Sequence, residues 1–230
     1  MNRGSENPSG VCLPCQDRLL NKQDKPNQSM KKQLIAILGA TVLAATAWAQ
    51  EISYSTSVGI DSTYVFRGFK LGEETFMGSF DVAMDDFYAG VWTAQPTTDE
   101  VDWDSEIDFY GGYSSAINDV ISFDVGGTYY YYPTATDAST FELFGGLSWD
   151  VVFAPAVYAY YDFDLETFTF EASAGNSWDV ADKTTFDLSG SVGWIEPDAG
   201  DSQYYIVASG GFSYSFTEYA TGSFALNVSE

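Results

Sequence analysis

Histidine is absent from all 230 residues. That removes Ser-His-Asp and Cys-His nucleophile systems, histidine-ligated zinc and the commonest general base. Cysteine is almost missing: Cys12 and Cys15, in "CLPC", are the whole complement. No second ligand pair and no βαβ pattern accompany them, so a metal or redox motif is not expected. Positive charge is the third scarcity. Nine Lys and Arg stand against 33 Asp and Glu, and after residue 49 only Arg67, Lys70 and Lys183 are cationic. Neutralising phosphates needs Lys and Arg, so nucleic acid is not expected as a partner. The acidity is not that of a disordered chain, because aromatics make up 17% of the residues and are spread along the length.

The N-terminal segment reads as an address. Met30 is followed by Lys31 and Lys32, then by the apolar run Leu34 to Ala45, then by "AWA" ending at Ala49. A charged start, an apolar middle and a small-x-small site make a secretory signal, with Sec export and cleavage after Ala49. The run is too short to span a bilayer comfortably. Residues 1–29 read as an extension ahead of a true start at Met30, residues 30–49 as the signal peptide, and residues 50–230 as the mature domain. Both cysteines fall in the removed part, so disulfides are excluded.

Beyond residue 49 the dominant period is two, with no helical stripe. Ile107, Phe109, Gly111 and Tyr113 alternate with Glu106, Asp108, Tyr110 and Gly112; Ile121, Phe123 and Val125 alternate with Ser122, Asp124 and Gly126; Phe186, Leu188, Val192 and Trp194 alternate with Asp187, Ser189, Ser191 and Gly193. Successive strand side chains point to opposite faces, so each segment has an apolar face and a small or polar one. Paired glycines within strands, such as Gly126–Gly127 and Gly145–Gly146, mark places where a curved sheet bends or side chains must be small. Tight turns ("DD" at Asp85–Asp86, "AIND" at Ala116–Asp119, "TE" at Thr217–Glu218) alternate with longer polar stretches such as Arg67–Glu74, Ala94–Trp103 and Pro133–Ala138. The expectation is an all-β, antiparallel up-and-down transmembrane β-barrel of the bacterial outer membrane. About eleven strands can be parsed. Single-chain barrels close with an even number, so twelve are expected, with ten as the alternative. The apolar faces are expected to end in interfacial aromatics, including Tyr64, Phe66, Trp92, Tyr129, Trp178 and Trp194.

The stretches "YVFRG" (Tyr64–Gly68), "FYAGVW" (Phe87–Trp92), "EIDFYGGY" (Glu106–Tyr113) and "YYYYP" (Tyr129–Pro133) occur in this order. Together they resemble the TorF-like family of outer-membrane porins, over most of residues 50–230. The resemblance implies an exported barrel with a pore role.

If the apolar positions face lipid, the opposite parity gathers Asp61, Arg67, Asp81, Glu106, Asp108, Asp124, Glu142, Asp162, Glu171 and Asp187 on the lumen side. A charge facing lipid costs free energy that depends on depth, whereas lumen charges set selectivity. Arg67 is expected to point inward and pair with carboxylates, either stitching the wall or forming a constriction. Asp99, Glu100, Asp102 and Asp104 are weak candidates for Ca²⁺ or Mg²⁺, since their spacing is not that of an EF-hand loop. No cofactor is called for, and no carboxylate pair is marked out for glycosidase chemistry. The expected function is therefore not enzymatic. It is passive diffusion of small hydrophilic solutes or cations through an acidic lumen in the outer membrane. Two alternatives remain: a closed structural or adhesive barrel, filled by residues such as Tyr110, Tyr130, Tyr132, Tyr158 and Tyr160, and a secreted soluble β-barrel binding protein.

Overall fold

The computed structural model describes residues 52–97, 105–135 and 138–230. The expected signal peptide, its cleavage point and the candidate ligands Asp99, Glu100, Asp102 and Asp104 lie outside the described residues. Thirteen strands follow one another: β1 (Ile52–Asp61), β2 (Tyr64–Phe66), β3 (Phe69–Gly72), β4 (Thr75–Met84), β5 (Phe87–Pro96), β6 (Glu106–Ala116), β7 (Ile121–Tyr131), β8 (Thr140–Trp149), β9 (Ala156–Asp162), β10 (Thr167–Ala181), β11 (Thr184–Pro197), β12 (Gln203–Thr217) and β13 (Ala220–Ser229). Eleven form one antiparallel sheet in the order β1-β4-β5-β6-β7-β8-β9-β10-β11-β12-β13, and β2-β3 is a separate hairpin. Among the described residues no helix is long and apolar enough to cross a membrane.

The antiparallel meander agrees with the period-two reading, but the strand count corrects it. The main sheet has neither twelve nor ten strands. What reads as the end of the first strand is the start of the hairpin. Arg67 and Gly68 form its two-residue turn with φ of 45° and 82°, the doubly left-handed geometry of a type I′ turn. Gly68 meets this cheaply; for Arg67 a positive φ is uncommon.

The contacts of the hairpin show that the sheet is bent. Its Tyr64 and Phe66 pack with Trp92, Ala94, Tyr110 and Tyr130 from β5, β6 and β7. Arg67 reaches Glu142 on β8 and Thr169 on β10. A Cβ on Gly68 would lie 2.4 Å from the Tyr205 Cβ of β12. One short hairpin can touch strands this far apart only if the sheet curls around it. Tyr64, Phe66 and Trp92 therefore lie on the inner side, each less than a tenth exposed, and are not the interfacial aromatics expected of them.

The two faces of the curled sheet have opposite chemistry. The outer face carries exposed apolar side chains along its length, with Phe109 52% and Leu188 44% exposed. Aromatic rings there meet across strands: Phe170 with Trp194, and Phe186 with both Trp178 and Phe212. Buried positions are mainly polar or aromatic, including Glu106, Asp108, Thr128, Tyr130, Glu142, Tyr160 and Asp162. A water-soluble sheet sandwich has the reverse arrangement.

The sheet has two edges. Among the described residues β1 pairs only with β4, and β13 only with β12. Every neighbour in an eleven-strand antiparallel order reverses direction, so β1 and β13 run the same way.

Candidate functional site

The inner face is built from rows of side chains set by strand register. One pattern recurs every three strands: an acid, a glycine and a tyrosine directly opposite one another. Asp81, Gly90 and Tyr110 are paired across β4, β5 and β6. Asp124, Gly146 and Tyr158 are paired across β7, β8 and β9. Glu171, Gly193 and Tyr205 are paired across β10, β11 and β12.

In each row the tyrosine ring lies flat over the glycine, and its hydroxyl donates to the acid one strand beyond. Tyr110 donates to Asp81, Tyr158 to Asp124 Oδ2 at 3.1 Å, and Tyr205 to Glu171 Oε2 at 2.7 Å. The glycine is sterically required. A Cβ added at Gly90, Gly146 or Gly193 would come within 2.5, 2.5 and 2.0 Å of the overlying ring. Gly112 serves Tyr88 in the same way, and Tyr88 gives Asp124 Oδ1 a second bond of 2.9 Å. Charge-assisted hydrogen bonds of this kind offset part of the cost of holding a carboxylate away from water.

Arg67 is buried against the inner face. Its Nη1 donates to Glu142 Oε2 at 2.9 Å and its Nη2 to Glu142 Oε1 at 3.0 Å, with Thr169 Oγ1 accepting at 3.3 Å. The guanidinium lies between the rings of Phe66 and Tyr160, at 4.8 and 4.4 Å from their centroids. Tyr130 also donates to Glu142 Oε1. This planar, two-pronged contact is what distinguishes arginine from lysine. Lys70 pairs with Glu73 at the exposed surface of the same hairpin.

The ten residues singled out from sequence fall as follows. Asp81, Glu106, Asp108, Asp124, Glu142, Asp162, Glu171 and Asp187 share the inner face. Arg67 also points inward, but from the hairpin turn, not from strand one. Asp61 ends β1, opposite Thr75, and is half-buried. Asp187 accepts from Ser177 at 2.5 Å and Ser213 at 2.6 Å. Asp162 Oδ1 accepts the backbone N–H groups of Asp164 and Leu165. Glu106 takes the Tyr132 hydroxyl at 3.1 Å. Tyr132 lies just beyond β7; burial, then the adjacent Glu106 charge, pushes its ionisation well above the usual tyrosine range, so it remains a donor. Among the described residues no three acidic side chains converge as a metal-binding group.

Sequence reasoning missed the tyrosine–glycine partnership. Its signal was present: an acid, a glycine and a tyrosine at the same parity on three successive strands.

A family model described as "Bacterial protein of unknown function (Gcw_chp)" matches residues 45–221. The chain belongs to this family. The match runs from Ala45 into the first residues of β13, so the hairpin and all three acid–glycine–tyrosine rows are inside the Gcw_chp region. No curated protein and no solved structure matches the chain. The Gcw_chp description carries no activity, and nothing in it connects the chain to TorF or to porins.

Proposed function

We propose that this protein is an exported β-barrel of the bacterial outer membrane. In this reading its apolar outer face contacts lipid, and its acidic inner face forms a passive path for small hydrophilic solutes, cations above all. The observation that carries the reading is the inversion of the faces: exposed Phe, Leu, Val and Trp outside, carboxylates and tyrosines within. A lipid-facing band needs no apolar packing partner, and no helix or second sheet covers it among the described residues. Like charges around a confined path raise the local concentration of counter-ions.

In this reading the sheet closes with β1 against β13 as its one parallel pair. Both strands are ten residues long, and both alternate apolar and small polar residues with the same outward parity. Gly68 of the inner hairpin also lies beside the Glu230 carbonyl at the end of β13, which ties the two edges through one element. Odd-stranded membrane barrels are known, although bacterial single-chain ones are even.

The hairpin is a plug in this account. Tyr64, Phe66 and Arg67 fill the interior beside β5 to β8, so conduction requires the hairpin to move. This packing also favours a second reading, a permanently closed structural barrel. Single-channel recording in planar bilayers separates the two. The channel reading expects cation-selective currents that grow when Arg67→Ala loosens the hairpin. Silence from both proteins, correctly folded, leaves the closed barrel. Release of the protein from cell envelopes without detergent would remove both.

A further inference from the structure

Most carboxylates on the inner face are matched by a donor, but Asp108 is matched at neither oxygen and its neighbour Glu106 at only one. Glu106 and Asp108 stand two residues apart on the inner face of β6, both 0% exposed. Tyr132 satisfies Glu106 Oε1. Glu106 Oε2 and both oxygens of Asp108 have no hydrogen-bond partner. The two carboxyl groups are within hydrogen-bonding reach of each other, and the Tyr64 hydroxyl is within reach of Glu106. Trp92 and Tyr130 flank Asp108 in the same cross-strand row. Among the described residues the one arginine, Arg67, is committed to Glu142.

A buried charge without a partner is costly, and two like charges in contact are more so. Asp81, Asp124, Glu142, Glu171 and Asp187 each accept from a hydroxyl or a guanidinium, and Asp162 accepts two backbone N–H groups at Oδ1 while its Oδ2 has no partner. At Glu106 and Asp108 the unmatched atoms are three buried carboxylate oxygens on two neighbouring carboxyl groups, and carboxylate oxygens are the donors a hard cation takes. We propose that Glu106 and Asp108 bind one small divalent cation of the Ca²⁺ or Mg²⁺ type, with the Tyr64 hydroxyl as a neighbouring oxygen. Two carboxylates balance a charge of two. Magnesium is commonly held by one or two carboxylates, and calcium tolerates irregular oxygen sets. Such an ion would fix the start of β6 against the hairpin strand that carries Tyr64. The site needs only the folded chain and does not depend on whether the interior conducts.

Terbium luminescence tests this on the purified full-length folded protein, because Trp92 and the surrounding tyrosines would sensitise an ion held at Asp108. Tb³⁺ is expected to give sensitised emission that saturates at one equivalent and is displaced by Ca²⁺ or Mg²⁺; the ion that displaces at lower concentration is the preferred one. Asp108→Asn and Glu106→Gln each abolish the signal, while Glu218→Gln, on an exposed turn, retains it. Circular dichroism and heat-dependent gel mobility confirm that each variant is folded. Should either inner variant misfold, the displacement titration on the unaltered protein still decides. No sensitised emission, emission that survives Asp108→Asn, or emission that neither divalent ion displaces would each overturn the proposal. A protonated-carboxyl infrared band that Asp108→Asn removes would assign the pair a proton instead.

Discussion

Arg67 and Glu142, 75 residues apart in sequence, meet in a two-pronged ion pair inside the curled sheet. The arginine side chain is 7% exposed and the glutamate 1%. Removing the cation leaves a carboxylate buried with only Tyr130 to satisfy it. Arg67→Ala is expected to cost about 3–5 kcal/mol of stability. Arg67→Lys recovers part of this, because an ammonium keeps the charge but cannot make both contacts or stack between Phe66 and Tyr160. Urea unfolding of the three proteins, with folded fraction read from heat-dependent gel mobility, checks the order. Equal midpoints for all three would mean the pair contributes nothing.

The tyrosine-over-glycine rows predict a contrast between faces. Gly193→Ala places a methyl 2.0 Å from the Tyr205 ring, so the ring must leave Glu171. The expected cost is ~1–3 kcal/mol. Gly210→Ala points outward, where the nearest atom is a Leu188 methyl at 3.9 Å. It should be neutral or slightly stabilising, since glycine weakens a strand. Denaturation midpoints measured side by side test this, and similar losses for both would remove the steric argument.

The proposed seam can be trapped chemically. No cysteine occurs after residue 15, so in protein cleaved at Ala49 an introduced pair is the only one present. Ser57→Cys on β1, combined in turn with cysteine at Ser223, Ala225 or Asn227 on β13, should form a disulfide within one chain for at least one combination. Non-reducing gel mobility and mass spectrometry of the linked peptides read the result. Cross-links only between chains would point to an assembly in which the edges meet other copies.

Lipid contact predicts a penalty for outward charge. Leu188→Lys should reduce the free energy of folding into bilayers by about 2–4 kcal/mol if the site lies near the midplane. Ser209→Lys, on the inner face of the adjacent strand, should cost less. Reversible folding into vesicles measures both. Equal costs would argue against any lipid-facing band.

The faces of the sheet were legible in the sequence because strand parity is a backbone property. Once "EIDFYGGY" is extended, Asp108 and Phe109 must diverge. The fate of the segment after Asp61 was not legible. "YVFRGF" has the alternation of a strand, and only contacts with β5 to β12 decide that it folds back as an inner hairpin. Arg67 was expected to pair with carboxylates, and it meets Glu142; that partner could not be read, because Glu142 comes near only through the curl of the sheet. Trp92 shows the same limit. It stands mid-strand at the parity of Gly90, which the register sets opposite Asp81 and Tyr110, so the pairing of β5 turns it inward whatever its aromatic character suggests.

The central claim is that the outer face meets acyl chains and the inner face meets water. Spin labels at Val157, Leu188 and Ile206 outside, and at Ser173, Ser189 and Ser209 inside, report this in reconstituted vesicles through collision with oxygen or with a water-soluble nickel chelate. The account predicts that the outer labels are reached by oxygen and shielded from nickel, with the inner labels showing the opposite preference. Outer labels fully open to nickel, in a protein that remains dispersed without detergent, would contradict it.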